Sequence, residues 1–324
     1  MKVLVTGASG MLGAATARAL VTAGHTVTVL QRRASGLGVA EVRGDITDDG
    51  VVRWACTGQD AVVHLAARVT LTGSWEDFER VNVGGTRTVL AAARAAGATR
   101  FIHVSSPSVA HSGSALVGVA AGPADPDAAR GHYARSKAVA ERMALAAGAG
   151  DFAVVAVRPH LVWGPGDTQL VGRVVERART GRLMLVGGGG ALIDSTYVDN
   201  AADALVASLH RIEDLRGQSL VVTNGEPRTV RELLTAICRA AAVPEPTRSV
   251  PLAVAAGGGT VVERAWDLFG REDEPPMTRF LAEQLATAHW FDQRNTREAL
   301  QWAPRVGLDE GFARLASWFA RTTH

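Results

Sequence analysis

Short apolar strands alternate with alanine-rich helical segments through the first half of the chain, and this alternation restricts the fold more than any other feature. Strands that lack a polar face are covered on both sides, as in a parallel sheet. Right-handed crossovers between them produce a doubly wound α/β fold. The predicted strands are Lys2–Val5, Thr26–Leu30, Val39–Arg43, Asp60–Leu65, Arg100–Val104 and Phe152–Val157. The predicted helices between them are Met11–Ala23, Phe78–Ala96 and Tyr133–Ala147.

The alternation of predicted strands and helices becomes less regular after about residue 165, and this change predicts a second domain. We expect residues 1–165 to form the first domain and residues 166–324 to form a smaller, mainly helical substrate domain. A segment at about 190–225 is expected to return to the first domain. The segment Ser112–Arg130, rich in Gly, Ala, Pro and Asp, is interpreted as a loop. The later helices are predicted at Leu170–Arg179, Val198–Arg211, Thr229–Ala241 and Asp309–Arg321.

The composition excludes several classes of protein. The chain has 324 residues, 47% of them hydrophobic and 20% charged, as in ordinary globular domains. A net charge of +2 gives no sign of a nucleic-acid partner. No segment reaches the ~18 uncharged apolar residues of a membrane-spanning helix. Two cysteines, Cys56 and Cys238, are too few for a disulfide framework, so we expect a cytoplasmic protein, and we predict no metal site.

A glycine turn joins the first predicted strand to the first predicted helix. The stretch Thr6–Gly13 reads TGASGMLG, with glycines at positions 7, 10 and 13. Such glycines allow a tight turn, close approach to a pyrophosphate and close helix packing, while the helix N-terminus offers N–H groups. The turn therefore predicts a dinucleotide cofactor. The residues expected to contact it here are Gly7, Ser9, Gly10, Met11, Leu12 and Gly13.

The end of the second strand indicates which dinucleotide is bound. A carboxylate at this point normally binds the ribose 2′-OH of NAD. Here the strand ends in Gln31, Arg32 and Arg33, and two guanidinium groups suit a 2′-phosphate. We therefore predict NADP(H) in preference to NAD(H), the alternative being that both arginines are simply solvated. Asp45, followed by Ile46, is expected at the adenine, or Asp45 caps a helix instead.

Tyr133 and Lys137 form the most unusual pair in the chain. The sequence has two tyrosines and two lysines, while 32 of its 34 basic residues are arginine. Residues four apart on a helix share one face. An ammonium group beside a phenol favours the phenolate, so this tyrosine can exchange a proton with a ketone or alcohol oxygen. Ser106, after the fifth strand, is chosen to hold that oxygen, with Ser105 and Ser108 as alternatives.

These stretches together resemble the extended short-chain dehydrogenase/reductases of the NAD-dependent epimerase/dehydratase superfamily. The resemblance implies a Rossmann fold and a catalytic triad of Ser106, Tyr133 and Lys137. It also implies that Asn82 supports the site and that Pro159 lies by the nicotinamide. Cofactor contacts are further expected from Leu65, Ala66 and Ala67. A homodimer through the helices at Phe78–Ala96 and Tyr133–Ala147 is implied as well. The motifs are TGASGMLG, GDITD, HLAA with Leu65, Ala66 and Ala67, RVNVGGT, VSSPS, YARSK and RPHLVWGPGD.

Three features resemble the 3β-hydroxysteroid dehydrogenase-like branch, which includes bacterial reductases of long-chain 2-alkyl-3-keto acids. They are the stretch Ser195–Ala204, the segment Pro251–Arg279 and the tail from His289. The implied reaction interconverts a ketone and a secondary alcohol on a small hydrophobic substrate. Substrate contacts are expected from Ser108, His160, Val162 and Tyr197. An apolar pocket wall could be formed by Leu252, Val254, Val261, Val262, Trp266, Leu268 and Phe269, unless these pack against the second domain.

Two other functions stay open. A nucleotide-sugar epimerase or dehydratase shares most of these motifs. Gln31-Arg32-Arg33 fits poorly with tightly held NAD, and Pro107-Ser108 replaces the acidic residues that dehydratases place after the catalytic hydroxyl. A non-catalytic NADP-sensing regulator would keep the glycine turn, but it would not need Tyr133 and Lys137.

Overall fold

The computed structural model describes residues 1–70, 72–110, 114–268 and 278–322. The strands in these ranges are β1 (Lys2–Thr6), β2 (Thr26–Gln31), β3 (Ala40–Arg43), β4 (Ala61–His64), β5 (Arg100–Val104), β6 (Leu116–Val119), β7 (Ala153–Pro159), β8 (Val162–Trp163), β9 (Leu185–Val186), β10 (Leu192–Ile193), β11 (Thr196–Tyr197), β12 (Ser219–Val222), β13 (Arg228–Thr229), β14 (Ser249–Val250) and β15 (His289–Phe291). The helices are α1 (Met11–Thr22), α2 (Asp49–Cys56), α3 (Trp75–Phe78), α4 (Gly85–Ala95), α5 (Gly131–Ala146), α6 (Leu170–Arg179), α7 (Val198–His210), α8 (Val230–Ala240), α9 (Leu252–Leu268), α10 (Arg279–Ala286), α11 (Arg294–Leu300) and α12 (Leu308–Thr322).

A seven-stranded parallel sheet forms the centre of the molecule, which confirms the predicted fold class. Its strand order is β12-β7-β5-β4-β1-β2-β3. Buried side chains cover both faces, because strands such as β4 and β7 have no exposed residue. All six pairings are parallel, so the carboxyl ends of the strands meet at one edge. Ligands of doubly wound sheets bind at this edge.

The chain returns to this sheet late in the sequence. Helix α7 packs on α1, and β12 pairs with β7 at the edge of the sheet. The apolar cluster on this face joins Leu20 of α1 to Leu205 and Leu209 of α7. The segment from α7 to β12 therefore completes the central sheet.

A second apolar cluster lies outside the sheet and is built by the C-terminal half. It combines Val174 of α6, Leu233 and Ile237 of α8, and Leu315 of α12. A four-stranded sheet of order β13-β10-β15-β6 accompanies these helices. The second region is thus helical with a small sheet.

The prediction that Ser112–Arg130 is a loop is wrong for Leu116–Val119, which form strand β6. This strand pairs in parallel with β15, about 170 residues later in the chain, and a local reading cannot detect so distant a partner. Gly118, in the middle of β6, has a φ of +60°, and a Cβ there would press on the ring of Trp290. The sequence LVGV was a weak strand signal because glycine is disfavoured in strands.

Two helical predictions also need correction. The continuous helix predicted at Phe78–Ala96 is divided: a π-helical turn at Glu79–Gly84 separates α3 from α4. The short helix α2 was not predicted, and its cap is Asp48, whose carboxylate accepts from the N–H groups of Gly50 and Val51. Asp45 is therefore not the capping residue.

Candidate active site

The glycine turn after β1 is shaped for close approach by a phosphate. Gly7 has a φ of +79°, and a Cβ there would lie 2.8 Å from the backbone nitrogen of Ala66. A Cβ on Gly13 would collide with the Gly7 carbonyl. Helix α1 begins at Met11, and within the described ranges no side chain caps it. Its uncapped N–H groups fit a pyrophosphate. The other predicted residues in this turn are Ser9, Gly10 and Leu12.

Thr6, which the sequence analysis did not select, fixes the wall opposite this turn. Its hydroxyl oxygen accepts from the N–H groups of Leu65 at 3.2 Å and Ala66 at 3.1 Å. These bonds hold the start of the segment Leu65–Ala67 beside Gly7. Only the alternation of strands across the sheet, which makes β1 and β4 neighbours, could have indicated this contact.

The end of the cleft where the sequence predicts the adenosine is open and charged. Arg32 has a side chain 79% exposed, with its nearest described carboxylate, Asp45, at 4.0 Å. Arg33 is also exposed. Asp45 accepts from the backbone N–H and hydroxyl of Thr47, at 3.0 and 2.9 Å. Burial raises the pKa of Asp45, but the Thr47 hydrogen bonds and the Arg32 charge outweigh it, so the pKa is lowered.

Two predicted cofactor residues do not present their side chains to the cleft. Gln31 is buried and donates to Glu41 at 3.2 Å. Ile46 is buried against the position of Gly85 at the start of α4. Glu41, on β3, was missed by the sequence analysis. Hydrogen bonds from the Ser35 N–H and hydroxyl, and then from Arg43, lower the pKa of Glu41 to about 2.

The groups predicted to react lie at the N-terminal end of α5. The Tyr133 hydroxyl lies near Ser106, and the Ser108 hydroxyl donates to the Ser106 hydroxyl at 2.9 Å. Ser105 is buried, and its hydroxyl has no hydrogen-bond partner among the described residues. Burial raises the pKa of Tyr133, while the nearby Ser106 side chain opposes this rise. Tyr133 therefore stays protonated at neutral pH in this structure.

Lys137 lies on the same face of α5, one turn after Tyr133. It is buried, and its Nζ donates to the carbonyl of Val104 at 2.6 Å. Burial lowers the pKa of Lys137 to about 8, and the nearby Glu141 carboxylate limits the fall. Two buried histidines, His64 and His103, also face this ammonium group, and both have lowered pKa values because burial penalises their charged forms.

Asn82 lies in the π-helical turn and connects two walls of the site. Its Oδ1 accepts from Arg68 N at 2.7 Å, and its Nδ2 donates to Arg68 O at 3.1 Å. The same Nδ2 donates to the Ser136 hydroxyl at 2.9 Å, and Ser136 donates to the Tyr133 carbonyl. Asn82 therefore connects the backbone of Arg68 to α5. π-Turns inside helices are frequent at functional sites.

A buried hydrogen-bond chain supports Asn82 from below. The Thr86 hydroxyl donates to the Asn82 carbonyl at 2.6 Å, so it accepts from His64 Nε2 at 3.0 Å. His64 Nδ1 is then the acceptor of the Thr6 hydroxyl at 2.8 Å. Desolvation lowers the pKa of His64 to about 3, which keeps the ring neutral. This chain of hydrogen bonds connects the strand before the glycine turn to Asn82, and through Asn82 to α5.

The substrate side of the cleft joins the two regions of the molecule. His160 follows Pro159 at the end of β7, and its Nε2 lies 2.9 Å from His289 Nδ1 on β15. His289 Nε2 lies 3.0 Å from the Gln284 carbonyl, and the ring of Phe291 is edge-on to that of His160. Pro159 itself is buried beside Val222 of β12.

Val162 and Tyr197 are not brought to this group. Both belong to the apolar cluster of the second region. The Tyr197 ring packs edge-on against Trp163, with centroids 5.5 Å apart, and lies under the Arg314 guanidinium of α12. The predicted substrate contact of Tyr197 therefore does not agree with its position. Tyr197 lies within a recognisable motif, Ser195–Ala204, but the ring packs toward α12.

Most of the predicted apolar wall lies on α9. Val254 and Val261 are 62% and 68% exposed there, and Leu252 is exposed as well. Val262 and Trp266 are partly buried. The side chain of Leu268, together with Phe269 and the residues up to Met277, lies outside the described residues.

The sequence matches one protein family over most of its first two thirds. The family is described as the NAD dependent epimerase/dehydratase family, and the match covers residues 3–222. Within the described ranges, the helices are too short or too polar to cross a membrane.

Two relatives with named activities match almost the whole chain. A 2-alkyl-3-oxoalkanoate reductase of Stenotrophomonas maltophilia (strain K279a) is 41% identical, with 97% of this chain and 98% of the relative covered. A protein of the same name from Shewanella oneidensis (strain ATCC 700550) is 36% identical, with 96% and 84% covered. Among solved structures, MoeE5 in complex with UDP-glucose and NAD superposes with a TM-score of 0.77 at 25% identity, and both chains are fully covered.

Proposed function

This chain belongs to the NAD dependent epimerase/dehydratase family, and from that premise we propose that it is an NADPH-dependent ketoreductase. Its substrate is a hydrophobic 2-alkyl-3-keto acid or a closely related 3-keto compound, reduced to the secondary alcohol. The names of the two full-length relatives support this substrate class. The observation that carries the proposal is the Tyr133 hydroxyl beside Ser106, with Lys137 buried one helical turn later on the same helix.

Each side chain of the site has a separate task in this proposal. When bound, the cofactor supplies the hydride that adds to the carbonyl carbon. Ser106 and Tyr133 hold the carbonyl oxygen, and Tyr133 donates the proton that completes the alcohol. Lys137 stabilises the phenolate left behind, because an ammonium group at close range favours the charged form. Asn82 keeps α5 in place through Ser136.

The preference for NADPH rests on the adenosine end. Arg32 and Arg33 are exposed there, and Arg32 has only a 4.0 Å contact to Asp45 within the described residues. A 2′-phosphate carries close to two negative charges and suits such guanidinium groups. Gln31, at the position of the usual ribose-binding carboxylate, is neutral. A ratio of kcat/KM for NADPH over NADH above one supports this proposal, and a ratio below one contradicts it.

The assay follows cofactor absorbance in both directions. We expect oxidation of a 2-alkyl-3-hydroxy acid with NADP⁺, and reduction of the matching 3-keto acid with NADPH. UDP-glucose and UDP-glucuronic acid are the rival substrates, because the structure of MoeE5 holds UDP-glucose and NAD. Turnover of nucleotide sugars without turnover of the hydroxy acid would overturn the substrate class.

We further propose a homodimer formed through α4 and α5, in a reducing compartment such as the cytoplasm. Ala91 is exposed and Val139 half-buried on these helices, and small side chains allow close helix packing. Cys56 and Cys238 are both buried free thiols. Light scattering should give twice the mass of one chain, and Ala91→Glu should reduce it to the monomer. A monomeric wild type contradicts this proposal.

A further inference from the structure

A buried ion pair lies one helical turn beyond Lys137 on α5. The side chains of Glu141 and Arg158 are 0% and 1% exposed. Arg158 Nε donates to Glu141 Oε2 at 2.9 Å, and Nη2 donates to Oε1. The two parallel bonds make this a bidentate pair, the geometry that gives strong charge-assisted hydrogen bonds.

Two further contacts connect this pair to the walls of the site. The Ser219 hydroxyl of β12 donates to Glu141 Oε1 at 2.9 Å. Arg158 Nη1 donates to the carbonyl of Gly122 at 2.7 Å, in the segment that leads to α5. Arg158 also precedes Pro159 on β7. The pair therefore joins the catalytic helix to two strands and to the segment before the helix.

The pair is also part of the electrostatic surroundings of Lys137. The titratable groups that interact with this ammonium are His64 on β4, His103 on β5 and Glu141 on its own helix, and Tyr133 lies one turn before it on that helix. Arg158 on β7 adds a positive charge behind Glu141. Since burial keeps both histidines neutral, Glu141 supplies the negative charge that opposes desolvation of Lys137. Lys137 and Arg158 together exceed Glu141 by one positive charge.

A buried ion pair is poor evidence for stability, because desolvation of two charges offsets their attraction. A pair of this kind is retained more readily when it fixes a geometry or a charge state. We propose that Glu141 and Arg158 are positioning residues of the reductase: they hold α5 against β7 and keep Lys137 in its ammonium form. This inference rests on the proposed function, but it can be tested without turnover.

The two single variants have opposite expected effects. Glu141→Gln removes the anion and leaves Arg158 uncompensated, so the titration midpoint of Lys137 should fall by about one pH unit. Arg158→Gln leaves the anion unopposed, so the midpoint should rise. The double variant removes both charges while retaining most of the volume, and its midpoint should lie between those of the single variants. A purely structural role predicts no such reversal of sign.

Lysine-selective ¹³Cε labelling makes the measurement direct, because the chain has only Lys2 and Lys137 and the Lys2→Arg variant assigns the signals. The Cε shift is followed against pH in the folded protein. Glu310→Gln, at the exposed pair with Arg314, is the matched control and should leave the Lys137 midpoint unchanged. Movement of both midpoints in one direction, or no movement in either variant, overturns the inference.

Loss of folding in Arg158→Gln does not remove the test, because the Glu141→Gln and double variants are compared with each other. A midpoint in the double variant no higher than in Glu141→Gln counts against the inference. In the wild type and Glu141→Gln, the alkaline limb of the kcat–pH profile should move in the same direction as the midpoint. If midpoints reverse as expected but the wild type turns over no 3-keto or 3-hydroxy acid, the proposed function fails while the electrostatic role stands.

Discussion

The two ends of the cofactor cleft are built in different ways. At the proposed reacting end, Lys137 and Asn82 are buried, and Asn82 is hydrogen-bonded to Ser136 of α5. At the adenosine end, Arg32 and Arg33 extend into solvent from the end of β2. Charge in the buried region acts at low dielectric, whereas exposed charges are screened. Changes at the reacting end should therefore alter catalysis, and changes at the adenosine end should alter only the choice of cofactor.

The largest expected effect is the loss of the Tyr133 hydroxyl. Tyr133→Phe should lower kcat by about 10²–10⁴-fold, the usual contribution of general acid–base catalysis. The dissociation constant of NADPH, measured by fluorescence, should change little. Tyr197→Phe is the matched control, because the other tyrosine lies under α12 and should retain near-normal turnover. Equal losses in both variants would remove the distinction between the two positions.

The next effect is expected at Asn82. Asn82→Ala removes bonds to both Arg68 backbone groups and to Ser136, and leaves buried partners unsatisfied. Each such loss costs about 1–3 kcal/mol. We expect a lower midpoint of urea denaturation together with a fall in kcat of about 10-fold or more, since a small displacement of catalytic groups is costly. Retention of wild-type kcat in the folded variant would show that Asn82 has no positioning role.

The pH dependence follows from Lys137. Its pKa of about 8 means that the ammonium form is present below that pH and is lost as pH rises through it. Reduction should therefore be constant near neutral pH and decline through an alkaline limb near pH 8. Tyr133, with a pKa raised by burial, stays protonated over the same range. Steady-state kcat between pH 6 and pH 10 measures this limb, and a rise in activity above pH 9 contradicts the assignment.

The smallest effect is expected at the adenosine end. Arg32→Ala combined with Arg33→Ala should reduce the ratio of kcat/KM for NADPH over NADH by about 10-fold or more, as the loss of charge-assisted bonds worth ~1.5–3 kcal/mol implies. The kcat with saturating NADPH should remain within about twofold. Arg53→Ala, an exposed change on α2, is the control. If kcat with saturating NADPH falls more than the NADPH/NADH ratio of kcat/KM does, the two ends of the cleft do not differ in the way proposed.

The sheet was predictable because most of its strands are buried apolar runs, and because helices such as α1 and α4 connect strands that are neighbours in the sheet. Strands β1, β2 and β5 and helix α5 begin and end within about two residues of their predicted bounds. The family resemblance and the fold class are confirmed. The residues of the reacting end, from Ser106 to Lys137, stay predictions that the geometry supports.

The features that the sequence did not reveal depend on contacts distant in the chain. Strand β6 needs β15, and Asn82 acts through Arg68 and Ser136. The sequence does not indicate that Glu141 and Arg158 form a buried pair, because charged residues usually lie on the surface. Tyr197 was misplaced for the opposite reason: a motif located the residue, but the packing of α12 decides where its ring points.

The most direct test follows the transferred hydrogen with the intact enzyme. NADPH carrying deuterium at C4, on either face in separate reactions, is incubated with a 2-alkyl-3-keto acid, and the product is analysed by mass spectrometry. We predict one deuterium at C3 of the hydroxy acid from one of the two cofactors, with that reaction strongly slowed in Tyr133→Phe and not in Tyr197→Phe. No deuterium in the product from either cofactor, or equal rates in the wild type and Tyr133→Phe, would contradict the account.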